Sequence, residues 1–329
     1  MTTSRRITPL FPLVSIRHLE SILGHDREYL LELARSAGSM YRSYDRRVTG
    51  QSKWRHIDAP SKELRSLQKK ILRKILYTAD LPPHLLGSVK GRSVVDNMDS
   101  HIEPQTLARI DIADFFPSIE NRSVYATYRN IFGASPKVAD LLTKVTTFER
   151  RLPQGAPTSP MVANLVMIPT ANSLQRICQE RGLKLTIWVD DICISGRNTR
   201  DAIEPIIKRI TRAGYAVRRS KIDVMPRSVA QTVTGGVVNK GRSVGRKKTQ
   251  QIREEIISYK GSQEIEEFRY KSIAGKIQFI SWVCPAQGKK LQSLFRGVMN
   301  GITILPIEKL EDVETRPCSR HRKCRRKSK

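Results

Sequence analysis

Two adjacent aspartates, Asp190 and Asp191, interrupt the apolar run KLTIWVDDICISG at 184–196. Acids are scarce in this chain, 31 Asp and Glu against 59 Lys and Arg, so a pair of them inside an apolar segment needs a reason. A buried carboxylate is costly unless a cation or a metal compensates it. An Asp-Asp turn taken alone is commonplace. The weighing changes with Asp111, which ends a second apolar stretch, LARIDIA at 107–113, and with Asp114 close behind it. Two strands of one sheet would bring Asp111 beside Asp190. Three hard oxygen donors that leave positions open for a phosphate suit Mg²⁺. In two-metal phosphoryl transfer, ions about 4 Å apart activate the attacking oxygen and stabilise the leaving one. Nucleic-acid polymerases and nucleases use that chemistry.

The flanking residues indicate the elements that must carry these acids. Residues 107–113 read as a strand that ends at the turn-like Phe115-Phe116-Pro117-Ser118, and 184–196 as a hairpin of two largely buried strands. Between them a Gly/Pro loop at 152–158 leads to Ser159-Pro160, an N-cap followed by proline, and a helix running to about Glu180. Upstream, a helix is expected over 26–41, then a basic, turn-rich stretch from Tyr41 to Gln51. Pro60-Ser61 opens another helix, with Ser61 as N-cap and Glu63 in the first turn. Leu64, Leu67, Ile71, Leu72, Ile75 and Leu76 follow the helical period, while Lys62, Arg65, Lys69 and Arg73 read as its solvated face. Further strands are expected at 215–225 and 231–239, and helices from about 246 onward. Strands and helices mix in the middle and the ends are helical, which makes an α+β core with helical appendages.

The chain of 329 residues is 39% hydrophobic, a globular composition, and carries a formal net charge of +28. The last fourteen residues, RPCSRHRKCRRKSK, hold eight Lys and Arg and no acid; without them the remaining 315 residues are still at +20. The body itself is basic, which points to a polyanionic partner such as nucleic acid, bound with a steep salt dependence. No apolar run approaches the roughly 20 residues that cross a bilayer, and no membrane partner is expected. Five unevenly spaced cysteines argue against a secreted disulfide framework and for a reducing cytoplasm. Cys318, His321 and Cys324 lack a nearby fourth ligand, so the tail reads as a phosphate-binding arm and not as a zinc site.

Three segments together carry a resemblance. Asp111-Ile112-Ala113-Asp114-Phe115-Phe116-Pro117-Ser118-Ile119, Leu152-Pro153-Gln154-Gly155-Ala156-Pro157-Thr158-Ser159-Pro160 and Val189-Asp190-Asp191 stand in the order and spacing of reverse transcriptase motifs A, B and C. Asn97-Met98-Asp99-Ser100-His101 resembles the Asn-Ala-x-x-His element of bacterial retron reverse transcriptases, and Val233-Thr234-Gly235 their Val-Thr-Gly element. The similarity runs from about Arg55 to Asn239, and loosely to about residue 304.

The resemblance implies a right-hand polymerase: N-terminal region and fingers at 1–106, a palm with an antiparallel sheet at 107–245 (with a fingers insertion at about 120–150), a helical thumb at 246–304, and a disordered basic tail at 305–329. Asp111, Asp190 and Asp191 map onto the metal-binding catalytic carboxylates, with two Mg²⁺ ions as cofactor. Phe116 maps onto the aromatic that excludes a ribose 2′-OH, and Gln154 onto the residue lining the incoming dNTP, with Ile112 beside them. Arg55, in Arg55-x-Ile57-x-x-Pro60, and Lys53 lie where the fingers supply cations to the triphosphate. Asn97, His101, Val233, Thr234 and Gly235 map onto nucleic-acid-binding positions. Lys221 is read as a surface lysine beside Arg218 and Arg219.

Two departures stand out: Trp188-Val189 replaces the usual Tyr-Ala before the two aspartates, and Met98 replaces the usual Ala. The implied function is a retron RNA-directed DNA polymerase. It would copy a structured noncoding RNA from a 2′-hydroxyl primer into branched multicopy single-stranded DNA, in antiphage defence, alongside a separate effector protein. The alternatives are another bacterial reverse transcriptase, group II intron-like or diversity-generating, or a catalytically silent RNA-binding scaffold.

Overall fold

The central strand of the molecule, Thr106–Ala113 (β3), alternates buried and half-buried side chains and so can pair on both of its edges. The computed structural model describes residues 12–47, 54–306 and 315–317. In it, β3 pairs antiparallel with Asp191–Gly196 (β5), which pairs in turn with Lys184–Trp188 (β4). On its other edge β3 meets the short Ala216–Val217 (β6) and Asp223–Pro226 (β7). The resulting antiparallel sheet has the order β4-β5-β3-β6, with β7 also on β3.

Ser159–Gln179 (α8) runs beneath this sheet and is buried on most sides. Its N-cap is Thr158, one residue before the expected Ser159. The Ser159 hydroxyl is engaged elsewhere: it donates to the Pro153 carbonyl at 2.7 Å and so ties the preceding loop to the helix start. Arg200–Arg212 (α9) packs on α8. The Pro-Phe-rich turn after β3 is the short helix Phe115–Ser118 (α5), followed by Asn121–Ile131 (α6) and Pro136–Thr146 (α7).

At the N-terminal side, Ile16–Leu23 (α1) and Arg27–Ser36 (α2) precede Lys62–Lys74 (α3). Ser61 caps α3 through the Leu64 N–H, as its position suggests. Leu64, Leu67 and Ile71 are fully buried, each contributing about 1.5–3 kcal/mol, which outweighs anything its exposed basic stripe could add. The stretch after Tyr41 departs from expectation. It is a strand, Tyr41–Arg47 (β1), paired antiparallel with Trp54–Pro60 (β2). Charged residues on both strands mask an alternation that only cross-strand pairing satisfies. Thr315–Pro317 (β12) adds to the free edge of β1, so these tail residues are ordered as a strand.

A second apolar cluster joins this sheet, through Leu107, Cys193 and Met225, to the C-terminal helices Arg246–Ile257 (α10), Glu267–Val283 (α11) and Pro285–Met299 (α12). The strand expected at 231–239 is the tight hairpin of Thr232–Val233 (β8) and Gly236–Val237 (β9). Thr234 and Gly235 turn it with φ of +44° and +87°, the geometry a two-residue hairpin loop demands. Glu264–Glu266 (β10) and Thr303–Leu305 (β11) form a parallel pair that the sequence pattern does not reveal. Among the described residues no helix is long and apolar enough to cross a membrane.

Candidate active site

The register of β3 on β5 sets Asp111 directly opposite Asp191, and the Ile112 N–H donates to the Asp190 carbonyl at 3.0 Å. All three aspartates therefore stand at one end of the sheet. The turn before them is tightly braced. Ile187 donates to the His84 carbonyl, Leu86 donates to the Ile187 carbonyl, and a Cβ at Gly87 would come within 2.5 Å of the Val189 nitrogen. Val189 itself has φ +60°, a strained setting for a β-branched residue.

The electrostatics of this edge are those of an acidic cluster held in place by cations. Burial raises both the Asp190 and Asp191 carboxyls above the ordinary carboxylate range, and repulsion among Asp111, Asp190 and Asp191 adds to it. Lys221 opposes the rise at both positions. Its Nζ donates to Asp111 Oδ1 at 2.9 Å, and Arg218 Nη1 stands 3.7 Å from Oδ2, too far for a hydrogen bond. Asp111 Oδ2 is buried and accepts no hydrogen bond. Arg218 also holds Asp114 at 3.2 Å, which takes that exposed acid out of the cluster. Lys221 is exposed, as its surface-lysine reading expects, but the turn after β6 carries it back over β3 to Asp111, a contact 110 residues distant in sequence.

Among the described residues no three His, Cys, Asp or Glu side chains are drawn together into a ready-made metal cage. The donor set nevertheless suits a hard divalent cation. It offers carboxylate oxygens, mutual repulsion that such a charge would relieve, and one buried oxygen without a partner.

The loop carrying Gln154 docks on the β1–β2 hairpin, where the Asp58 N–H donates to the Gln154 carbonyl at 2.9 Å. Gly155 has φ +149°, and a Cβ there would meet the Asp58 carbonyl oxygen at 2.6 Å, so only glycine permits this approach. Phe116, half-buried on α5, packs its ring 5.8 Å from that of Phe115. Arg55 is exposed on β2. Lys53 lies outside the described residues.

Several expected contact residues turn out to be enclosed. The Ile112 side chain is in the core and its N–H is spent on Asp190, so it offers no side-chain contact to substrate. His101 is fully buried; its Nδ1 meets the Ser195 hydroxyl and its Nε2 the Thr186 hydroxyl, both at 2.7 Å. Burial lowers its pKa to about 4, so it is a neutral strut between β4 and β5 and not an RNA contact. Val233 is likewise in the core, and Asn97 is fully buried. The reason is packing: Met98 lies on Gly236, where an added Cβ would come within 2.2 Å of the Met98 methyl. The Asn97–His101 segment and the Val233–Gly235 turn thus meet, leaving Thr234 half-buried and Gly235 exposed near Lys248 and Phe279.

Residues 45–259 match the reverse transcriptase (RNA-dependent DNA polymerase) family. The chain is 31% identical to the retron Ec86 reverse transcriptase of Escherichia coli over 249 residues, covering 74% of this chain and 78% of that protein. It is 31% identical to the retron Se72 reverse transcriptase of Salmonella heidelberg over 56% of this chain, but spans only 48% of that protein's length. It is 26% identical to the retron Mx65 reverse transcriptase of Myxococcus xanthus over 72% of this chain and 60% of that protein. Among solved structures, a telomerase from Candida albicans superposes with a TM-score of 0.43 at 9% identity, over 81% of this chain and 59% of that one. The chain belongs to the reverse transcriptases of the retron type. It is accordingly an RNA-directed DNA polymerase with the right-hand fold, dependent on a divalent metal and acting on an RNA template.

Proposed function

We propose that the chain copies a structured noncoding RNA, with a 2′-hydroxyl of that RNA as primer, into branched multicopy single-stranded DNA. The observation that carries the chemistry is the β3–β5 register, with Asp111 opposite Asp191 and Asp190 at the same sheet end. Asp111, Asp190 and Asp191 would hold two Mg²⁺ ions, which when bound supply Lewis-acid activation of the attacking oxygen and charge neutralisation at the leaving one. The protein's own groups do the rest. Arg55, with Lys53 outside the described residues, binds the triphosphate of the dNTP. Gln154 lines the nucleotide, and Phe116 fills the space a ribose 2′-OH would need. Lys221 and Arg218 orient Asp111 and offset negative charge beside it. Thr234 and Gly235, at their exposed turn, are the part of the retron-like elements that reaches nucleic acid.

This reading divides the chain into fingers (1–106), palm (107–245), thumb (246–304) and basic tail (305–329). It sets the enzyme in the cytoplasm, in antiphage defence, with a separate effector protein, a context that follows from the retron reading alone. The test is primer extension on a primed RNA with Mg²⁺ and dNTPs, comparing the wild type with Asp190→Ala/Asp191→Ala. Incorporation by the wild type alone is expected. Equal incorporation by both would overturn the catalytic assignment, and none by the wild type would favour an RNA-binding scaffold.

A further inference from the structure

The fingers hairpin hides a charged network that no step above uses. On one face of β1 and β2, Ser43 stands opposite Asp58 and Asp45 opposite His56. His56 bridges the two acids: Nδ1 lies 3.2 Å from Asp45 Oδ1 and Nε2 lies 2.8 Å from Asp58 Oδ1. The Ser43 hydroxyl donates to the same Asp58 oxygen at 2.6 Å. Asp45 is 5% exposed and Asp58 7%, so this is a charge cluster inside the fold and not a surface ion pair. Ionised carboxylates only accept hydrogen bonds, so the ring serves both when each nitrogen carries a proton. A buried network of this sort favours one arrangement, because removing one member costs its neighbours a partner inside the fold.

Its placement gives it a consequence for the nucleotide site. Side chains alternate along β2, so Arg55 and Ile57 lie on the opposite face from His56 and Asp58. The backbone of Asp58 is also the dock for the Gln154 carbonyl and for Gly155, with Ile57 Cγ2 close behind. A slip of one residue between β1 and β2 would turn Arg55 to the wrong face and remove the dock together. We propose that His56, clamped between Asp45 and Asp58, is a positioning residue that locks the fingers hairpin in register. Through that lock it sets both Arg55 and the Gln154 loop for the incoming dNTP. The inference rests on the assignment of Arg55 and Gln154 to nucleotide binding.

The experiment is steady-state extension of a primed RNA at varied dNTP, using the full chain carrying His56→Gln, whose amide lacks a nitrogen on each side to face the two carboxylates. The KM for dNTP should rise about ten-fold, the value of one charge-assisted hydrogen bond, with kcat within about three-fold. Should His56→Gln fail to fold, Asp45→Asn/His56→Gln, which removes one of the two buried acids and leaves Asp58 its Ser43 hydroxyl, is read in its place with the same KM rise expected. Combining the folded variant with Gln154→Ala should raise KM less than the product of the two separate effects, since both act through one loop. Arg55→Ala and Gln154→Ala are the reference. If both raise KM while the His56 variant leaves it unchanged, or lowers kcat alone, the positioning role is overturned and the nucleotide assignment stands. If neither reference variant moves KM, the nucleotide assignment itself is overturned, and this inference with it.

Discussion

The acidic end of the β3–β5 pair and the packed junction of Val94–Asp99 (α4) with the β8–β9 hairpin differ in what they do with their polar groups. Both are marked by short motifs. At the first, three carboxylates are kept close together, half-buried and mutually repelling, countered by Lys221, Arg218 and, at Asp191, Arg109. At the second, His101 spends both ring nitrogens on hydroxyls of the sheet, and Met98 and Val233 are sealed in the core. A motif can therefore mark charged groups left in costly surroundings, as at the aspartates, or a histidine whose partners are already complete, as at His101; neighbouring Asn97, fully buried with neither amide atom hydrogen-bonded, follows neither pattern. Unspent electrostatic cost separates the two.

That contrast is open to direct attack. Asp190→Ala/Asp191→Ala should lower extension by about 10³-fold or more, the scale of a lost metal site. Thermal melting should show stability unchanged or raised, because two repelling carboxylates are gone; a large loss of stability would make the acidic edge structural. His101→Leu should do the reverse. It strands the Ser195 and Thr186 hydroxyls and should cost about 2–3 kcal/mol in denaturant unfolding, with RNA affinity within about three-fold. Weakened RNA binding at undiminished stability would sink the strut assignment.

The pH dependence sharpens the same point. His101 and His84 both have pKa values lowered to about 4 by burial, against an ordinary 6.5. Between those values the unfolded chain binds more protons. Stability should thus be flat above pH 6.5 and fall as pH drops toward 4, by about 1 kcal/mol per unit for each histidine. His101→Leu should remove about half of that slope in urea titrations across the window. The smallest effect concerns selectivity: Phe116→Ala should raise ribonucleotide incorporation about ten-fold relative to dNTP, within the range a steric pocket supplies. Unchanged sugar discrimination would leave Phe116 as a core ring.

Much of this arrangement is written locally. The apolar runs around Asp111 and Asp190-Asp191 become β3, β4 and β5 within a residue of the expected limits, because burial on both sheet faces needs uninterrupted apolar residues. Ser61 caps α3 as a short-range hydrogen bond must. The tail cations at 318–329 and Lys53 lie outside the described residues. The strand at Tyr41–Arg47 is invisible in sequence, since its acids and cations look solvated until Asp45 and Asp58 are seen closing on His56. Lys221 is equally silent, for nothing near it in the chain announces Asp111.

The sequence by itself determined the residues able to do chemistry, the order of the motifs and the strands and helices that bear them, because those depend on neighbours a few positions apart. Tertiary structure alone decided which motif side chains are enclosed, which cations answer Asp111, and how the β1–β2 hairpin braces the Gln154 loop. Each of these depends on partners tens of residues away, brought together only when the core excludes water.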